Sequence, residues 1–181
     1  MEEGIFTVRR IVIAGVLSAI AILLGWTRLG FIPVPTAAGN ATIMHVPAIV
    51  GGVLEGPAVG GIVGTLFGLF SFIDATVPMF KDPLVAILPR IFIGITAWLA
   101  YAALKWINEY LALAAAAVVG TLTNTVLVLG IAVWRGYMAA GVALGVGITH
   151  GIPEIIVAAL ITIAVVATWK FVESGLGKAK M

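Results

Sequence analysis

The side chain best suited to chemistry in this sequence is a cation. Arg90 stands inside the apolar run Leu84–Leu104, LVAILPRIFIGITAWLAYAAL, which holds no other charge. At the centre of a membrane helix an arginine costs roughly 2.5–3.5 kcal/mol on insertion scales, so it needs a partner, either a protein group or a bound anion. Its planar fork of donors matches a carboxylate or a phosphate. Asn124 and Glu154 are further polar groups set in apolar sequence, His45 and His150 stand near helix starts, and Asn40 ends a loop. Arg90, Asn124, Glu154, His45, His150 and Asn40 together read as a candidate substrate-binding set. The competing reading is structural: Arg90 and Glu154 form a buried ion pair and Asn124 satisfies leftover donors.

Bond-making chemistry has less support. With no cysteine, disulfides, thiolate catalysis and cysteine-ligated metals are excluded. His45, His150 and Glu154 could serve a small intramembrane enzyme or ligate a metal, but no HExxH or similar spacing occurs. Ser18 and Ser71 have no histidine nearby in sequence. The tail GLGKAK lacks the upstream glycine and the hydroxyl residue of a phosphate-binding loop. Active transport would therefore need a partner ATPase or an ion gradient, the latter in a stand-alone carrier coupled to protons through Glu154 or His150.

The elements that position these residues are membrane helices. The 181 residues are 62% hydrophobic and 10% charged, with a mean hydropathy of +1.20; soluble domains carry about 25% charged residues. Unbroken apolar runs exclude an outer-membrane barrel, whose strands alternate every second residue. A net charge of +2, small and scattered, gives no footprint for nucleic acid. The fold class expected is an all-α integral membrane protein of the cell membrane, a compact six-transmembrane-helix bundle forming one domain over 1–181. A span takes about 20 apolar residues, and six segments come near that length: 8–26, 41–54, 57–73, 84–106, 110–134 and 151–172. The apolar stretch after Arg9 and Arg10 runs on to Trp26 without a small-residue cleavage site, so it reads as a retained helix rather than a signal peptide. Segment two contains Pro47, which kinks it or moves its start back toward Ala37. Glu55-Gly56-Pro57 reads as a tight turn with proline opening the next helix.

Lysine and arginine near the helix ends set the orientation. One side holds Arg9, Arg10, Lys105, Lys170, Lys178 and Lys180; the other holds Arg28, Lys81 and Arg135. Both termini are accordingly expected in the cytoplasm. Three longer connections then face outward, Thr27–Asn40, Asp74–Pro83 and Arg135–His150, and read as lids or connectors, with 136–149 alternatively a re-entrant segment. At about 1.5 Å of rise per residue, Arg90 and Asn124 lie roughly 9–10 Å and Glu154 roughly 5 Å below the outer end. Trp134, Tyr137 and Phe31 lie near the same mouth, as stacking partners or interfacial anchors. Glycines recur at Gly52, Gly56, Gly60, Gly64 and Gly68; such small faces let helix backbones approach within the bundle or against another subunit.

The segments Thr42–Phe72 (TIMHVPAIVGGVLEGPAVGGIVGTLFGLFSF), Asp82–Gly94 (DPLVAILPRIFIG), Val118–Thr125 (VVGTLTNT) and Ile152–Thr162 (IPEIIVAALIT) resemble the energy-coupling factor transporter S components. The likeness is greatest to the branch of pantothenate, riboflavin and cobalamin binders. It implies a six-helix vitamin-binding subunit that works with a transmembrane coupling (T) subunit and two ATPase subunits, has no cofactor of its own, and leaves ATP to those partners. It implies a ligand near the outer face, beneath the three outer loops. It also implies that small residues on helix one, here Ala14, Gly15, Ser18 and Ala19, contact the coupling subunit. Pantothenate is the vitamin expected, its single carboxylate matching Arg90 and its hydroxyls and amide matching Asn124 and Glu154. Riboflavin, cobalamin or folate are the alternatives.

Overall fold

The computed structural model describes residues 7–33 and 40–178. Six helical segments form a bundle: α1 (Val8–Trp26), α2 (Val46–Glu55), α3 (Pro57–Ile73), a broken segment made of α4 (Pro83–Ala86) and α5 (Leu88–Leu104), α6 (Glu109–Trp134) and α7 (Ala140–Lys178). Between α1 and α2 lies an antiparallel ribbon of β1 (Phe31–Pro33) and β2 (Asn40–Thr42), with Phe31 opposite Thr42 and Pro33 opposite Asn40. A 3-10 turn, Pro78–Lys81, leads into α4. Four segments, Val8–Trp26, Pro83–Leu104, Glu109–Trp134 and Ala140–Gly175, are long and apolar enough to cross a membrane, whereas α2 and α3 are shorter apolar helices.

Local chemistry fixes several of these boundaries. Thr7 caps α1 by accepting from the Arg10 N–H, and Asn108 caps α6 by accepting from the Leu111 N–H; each satisfies a donor that the first helical turn leaves unpaired. Gly56 joins α2 to α3 at φ 95°, a conformation open to glycine and strained for other residues. On α7, His150, Glu154, Ala158, Thr162 and Val166 are buried while Ile148, Ile152, Ile156 and Leu160 are exposed. Both rows step by four residues, so one helix carries an inward polar-to-apolar face and an outward apolar face suited to lipid.

The glycine periodicity is absorbed inside the bundle. A Cβ on Gly52 would lie 2.2 Å from the Gly94 carbonyl oxygen, and one on Gly60 would lie 2.8 Å from the Cα of Gly94. A Cβ on Gly64 would meet the Arg90 carbonyl oxygen at 2.0 Å. The missing side chains are what let α2 and α3 press their backbones onto α5, so this face holds the bundle together and is not presented to another subunit.

Three sequence expectations change. Segment two does not run 41–54: residues 40–42 pair as a strand and the helix begins at Val46, after the turn closed by the Val46 N–H on the Ile43 carbonyl at 3.0 Å. Segment four breaks at Ile87, because Pro89 has no N–H with which to continue the helix. Segment six begins at Ala140, not 151, so most of the supposed third loop is helix. Glycines in an apolar run favour a loop by local propensity, yet packing along α6 supports them as helix. Residues 34–39 of the first loop, including the suggested start near Ala37, and Lys180 lie outside the described residues.

Since Gly64 abuts backbone and not a movable side chain, Gly64→Ala is expected to lower stability by about 1–3 kcal/mol, the usual cost of overpacking. A thermal-unfolding scan of the purified protein in detergent checks this; Gly15→Ala, where the added Cβ meets nothing within 4 Å, is expected to leave the midpoint unchanged.

Candidate functional site

The cavity follows from a helix that is too short. At about 1.5 Å per residue, α2 with its ten residues is only about 15 Å long, half of a hydrocarbon core of about 30 Å. Its last residue, Glu55, pairs with Arg9 at the start of α1, which places α2 in the half of the bundle far from the long connections. The other half is left open. A cavity of about 590 Å³ fills it, reaching from Thr42 and Met44 at the floor to Arg28, Asp74 and Tyr137 at the mouth. That volume lies within the range of about 300–1,000 Å³ found for small-molecule sites.

Arg90 is placed by the residue before it. Pro89 cannot donate to the carbonyl four residues earlier, that of Val85, and so leaves it without its helical partner. The Arg90 Nη1 donates to that carbonyl. On either side of the guanidinium stand Phe67 of α3 and Phe80 of the 3-10 turn, whose ring centres lie 5.5 and 5.0 Å from its central carbon. Both rings offer their negative faces to the cation. The side chain is 4% exposed, lines the cavity, and has its Nε without a hydrogen bond.

Among the described residues the ion pairs join Arg9 with Glu55 and Glu173, Arg10 with Glu55, Arg28 with Asp74, Arg135 with Asp82, and Lys170 with Glu109. Arg90 and Glu154 do not form one. The Glu154 Oε1 instead accepts from the backbone N–H of Thr42 at 2.7 Å. Asn124, buried on α6, lines the cavity with its Oδ1 unpaired. Arg90 and Asn124 thus both line one cavity, and each holds a buried polar atom that no protein group satisfies. Such atoms are rare in folded proteins and costly to leave unmatched, and a molecule with an anionic end and hydrogen-bond donors suits the two side chains that carry them.

Five of the six residues expected at the site, Arg90, Asn124, Glu154, His150 and Asn40, line this cavity. His45 does not. It is fully buried beneath the floor, with Nε2 2.9 Å from the Thr121 hydroxyl. Glu154 lies deeper than the sequence estimate, roughly 20 Å along α7 from its start at 1.5 Å per residue, because that helix begins eleven residues earlier than expected. Phe31 and Tyr137 also line the cavity, whereas Trp134 is exposed. On α1, Ala14 and Ser18 turn into the bundle while Gly15 and Ala19 face outward.

The sequence reading overlooked Phe67, Phe80, the Thr42 N–H and Asp82. For Asp82 the signal was present: an aspartate before proline is a helix N-cap, and its Oδ1 accepts from the Leu84 N–H at 3.0 Å. Its other oxygen, Oδ2, takes Arg135 at 2.8 Å and the Tyr137 hydroxyl at 3.3 Å. Arg28, held at φ 61° and 5.4 Å above the Phe31 ring, pairs with Asp74 at 3.2 Å. Two latches therefore tie the first connection to the second and the second to the third across the mouth. Burial opposes the charge on Asp82, but the Leu84 N–H, the Arg135 guanidinium and the Tyr137 hydroxyl outweigh it and hold the carboxyl below its ordinary value.

Asp82→Asn keeps the cap and removes the charge, so amide exchange in 77–82 and in the 135–139 turn is expected to rise about two- to fivefold, the range an ion pair of this kind supplies, with α5 and α6 unchanged. A depressed carboxyl pKa keeps the latch formed above it and loses it only as pH falls through it. The wild-type latch is therefore expected to hold at pH 5, above the usual aspartate value of about 3.9, when exchange rates are corrected for their intrinsic pH dependence.

Comparison with known proteins supplies the family. The model of the family described as ECF transporter, substrate-specific component, matches residues 9–166. The pantothenic acid transporter PanT of Lactococcus lactis subsp. cremoris (strain MG1363) is 32% identical, over 69% of this chain and 75% of its own length.

Proposed function

The chain belongs to the substrate-specific components of energy-coupling factor transporters, and from that membership we propose that it captures pantothenate at the outer face of the cell membrane. It is a multi-pass membrane protein, a vitamin-binding transport subunit and not an enzyme. The observation that carries the substrate reading is that Arg90 and Asn124, each with a buried polar atom that no protein group satisfies, line one cavity. Pantothenate offers one carboxylate, one amide and two hydroxyls. In this reading the carboxylate takes the guanidinium, completing the partner set that Val85, Phe67 and Phe80 leave open. The Asn124 amide and the Glu154 carboxylate then receive the amide and hydroxyl donors, with Asn40 and His150 at the wall. The relative named for pantothenic acid, alike over most of both chains, points the same way.

Arg9, Arg10, Lys105 and Lys170 stand at one end of the bundle, against Arg28, Lys81 and Arg135 at the other. By the excess of basic residues on cytoplasmic loops, the termini are cytoplasmic and the cavity opens outward. The whole chain acts as one substrate-binding unit and holds no cofactor. ATP is used by two ATPase subunits joined to it through a transmembrane coupling subunit. Of the small residues on α1 expected at that junction, Gly15 and Ala19 are the outward pair, and Ala14 and Ser18 support them from within.

Purification of the chain alone, followed by mass spectrometry of the small molecule retained, is expected to yield pantothenate; a different vitamin would replace the substrate assignment. Uptake by this chain alone in vesicles, driven by an ion gradient without ATP, would contradict the subunit reading. Arg90→Ala is expected to weaken pantothenate binding about 10- to 100-fold, as loss of a charged hydrogen-bond partner does, in protein that still purifies as a monodisperse species. Ala19→Leu is expected to leave binding intact and impair uptake by the assembled transporter; normal uptake would move the docking surface elsewhere.

A further inference from the structure

His45 and Thr121 are a fully buried polar pair outside the cavity, and nothing in ligand capture as described uses them. Ile49, one turn further along α2, fills an equally buried place with hydrocarbon alone. A polar ring at such a depth loses its water, and only well-made hydrogen bonds offset that loss. His45 makes one good bond, to Thr121 at 2.9 Å. Its Nδ1 makes no hydrogen bond of good geometry, and the Thr42 backbone is the group that interacts with the ring from the ribbon side.

The position of the pair supplies a reason for it. Three residues, 43–45, turn the chain from β2 into α2. On one side of the turn, Thr42 donates its N–H to Glu154 at 2.7 Å and accepts the Met44 N–H on its hydroxyl at 3.2 Å. On the other side, the His45 carbonyl accepts the N–H groups of Ala48 and Ile49, the first bonds of α2. Because α2 is a half-length helix, its start lies within the bundle, at the floor of the cavity, and His45 itself is fully buried there. Thr121 sits on α6 three residues before Asn124, on the same buried face. The bond from His45 to Thr121 therefore fastens the turn to the ligand-facing part of α6, and Thr42 passes that anchorage to Glu154 on α7.

We infer that His45, held by Thr121, is a positioning residue for Glu154: it fixes the Thr42–His45 turn so that the Thr42 N–H holds the Glu154 carboxylate in its place in the cavity. The inference deepens the pantothenate reading and rests on it for its binding readout. His45 touches no ligand. Loosening it frees the Thr42 N–H and leaves the Glu154 carboxylate with the Thr125 hydroxyl as its remaining hydrogen-bond partner, so that its orientation is less defined, while the helices keep their packing.

Thr121→Val, close in shape but without the hydroxyl, tests this in the full chain. In ligand-free protein the Thr42 amide is expected to lose protection in Thr121→Val and in Glu154→Leu alike, with α5 and α6 still protected. Unchanged Thr42 protection in Thr121→Val overturns the inference. With radiolabelled pantothenate, Thr121→Val alone is expected to weaken binding about three- to tenfold, and to add less than about twofold once Glu154→Leu is present, the non-additivity of residues acting through one contact. Additive losses would mean a merely structural pair. His45→Gln, whose amide can still reach Thr121, is expected to restore what His45→Leu loses; should His45→Leu fail to fold, Thr121→Val still decides. Failure of the wild type to bind pantothenate would instead remove the substrate assignment and leave the Thr42 exchange result standing.

Discussion

A guanidinium buried in apolar surroundings must be surrounded by groups that replace water, and the architecture around Arg90 is organised by that requirement. Pro89 breaks the helix and exposes the Val85 carbonyl, which takes one arm of the fork. Phe67 and Phe80 cover its faces. Gly64 lets α3 come close enough for Phe67 to reach it, since the Arg90 backbone occupies the space a Cβ would need. These contacts hold the cation in place without neutralising it. No carboxylate stands within ion-pair distance among the described residues, so the remaining charge faces the cavity. That is the arrangement a reversible anion needs: a permanent internal ion pair would satisfy Arg90 and leave no work for a ligand.

Half-length α2 is the second constraint. By stopping in mid-bundle it opens the cavity, and it brings a backbone N–H, that of Thr42, to the level of Glu154. The described parts of the three connections line the mouth of the volume and are fastened to one another by Arg28–Asp74 and Arg135–Asp82. Cavity and close packing thus occupy different halves: the loop half holds polar groups around space, and the other half is packed hydrocarbon with the Gly52–Gly94–Gly60 seam. Charged side chains at the far end, Arg9 with Glu55 and Glu173 and Lys170 with Glu109, tie α1, α2, α6 and α7 together at that rim.

Much of this was legible in the residues. The lone arginine, its common side with Asn124 and Glu154, and the count of six apolar segments all follow from charge, hydropathy and chain length. What escaped was set by tertiary contact. Whether Arg90 pairs with Glu154 depends on which group the carboxylate meets, and the Thr42 N–H is invisible in a list of side chains. In the sequence His45 stands near the outer start of a short segment two, 41–54, and so reads as a wall of the site; the ribbon at 40–42 moves the helix start to Val46 and leaves the residue buried outside the cavity. Residues 140–150 looked like a loop because glycine is a poor helix former, yet packing along α6 outweighs that preference. Pro89 carried the most information left unread: the carbonyl that it orphans predicts where Arg90 sends its first hydrogen bond.

The central claim is that Arg90 waits for a carboxylate. The most direct measurement compares the affinity of the purified wild-type protein for pantothenate with its affinity for the corresponding primary amide, nearly the same shape without the charge. A loss of about 10- to 100-fold for the amide is expected from removing a charge-assisted pair with a buried guanidinium. Equal affinity for the two would contradict the account and return Arg90 to a role in holding the helices alone.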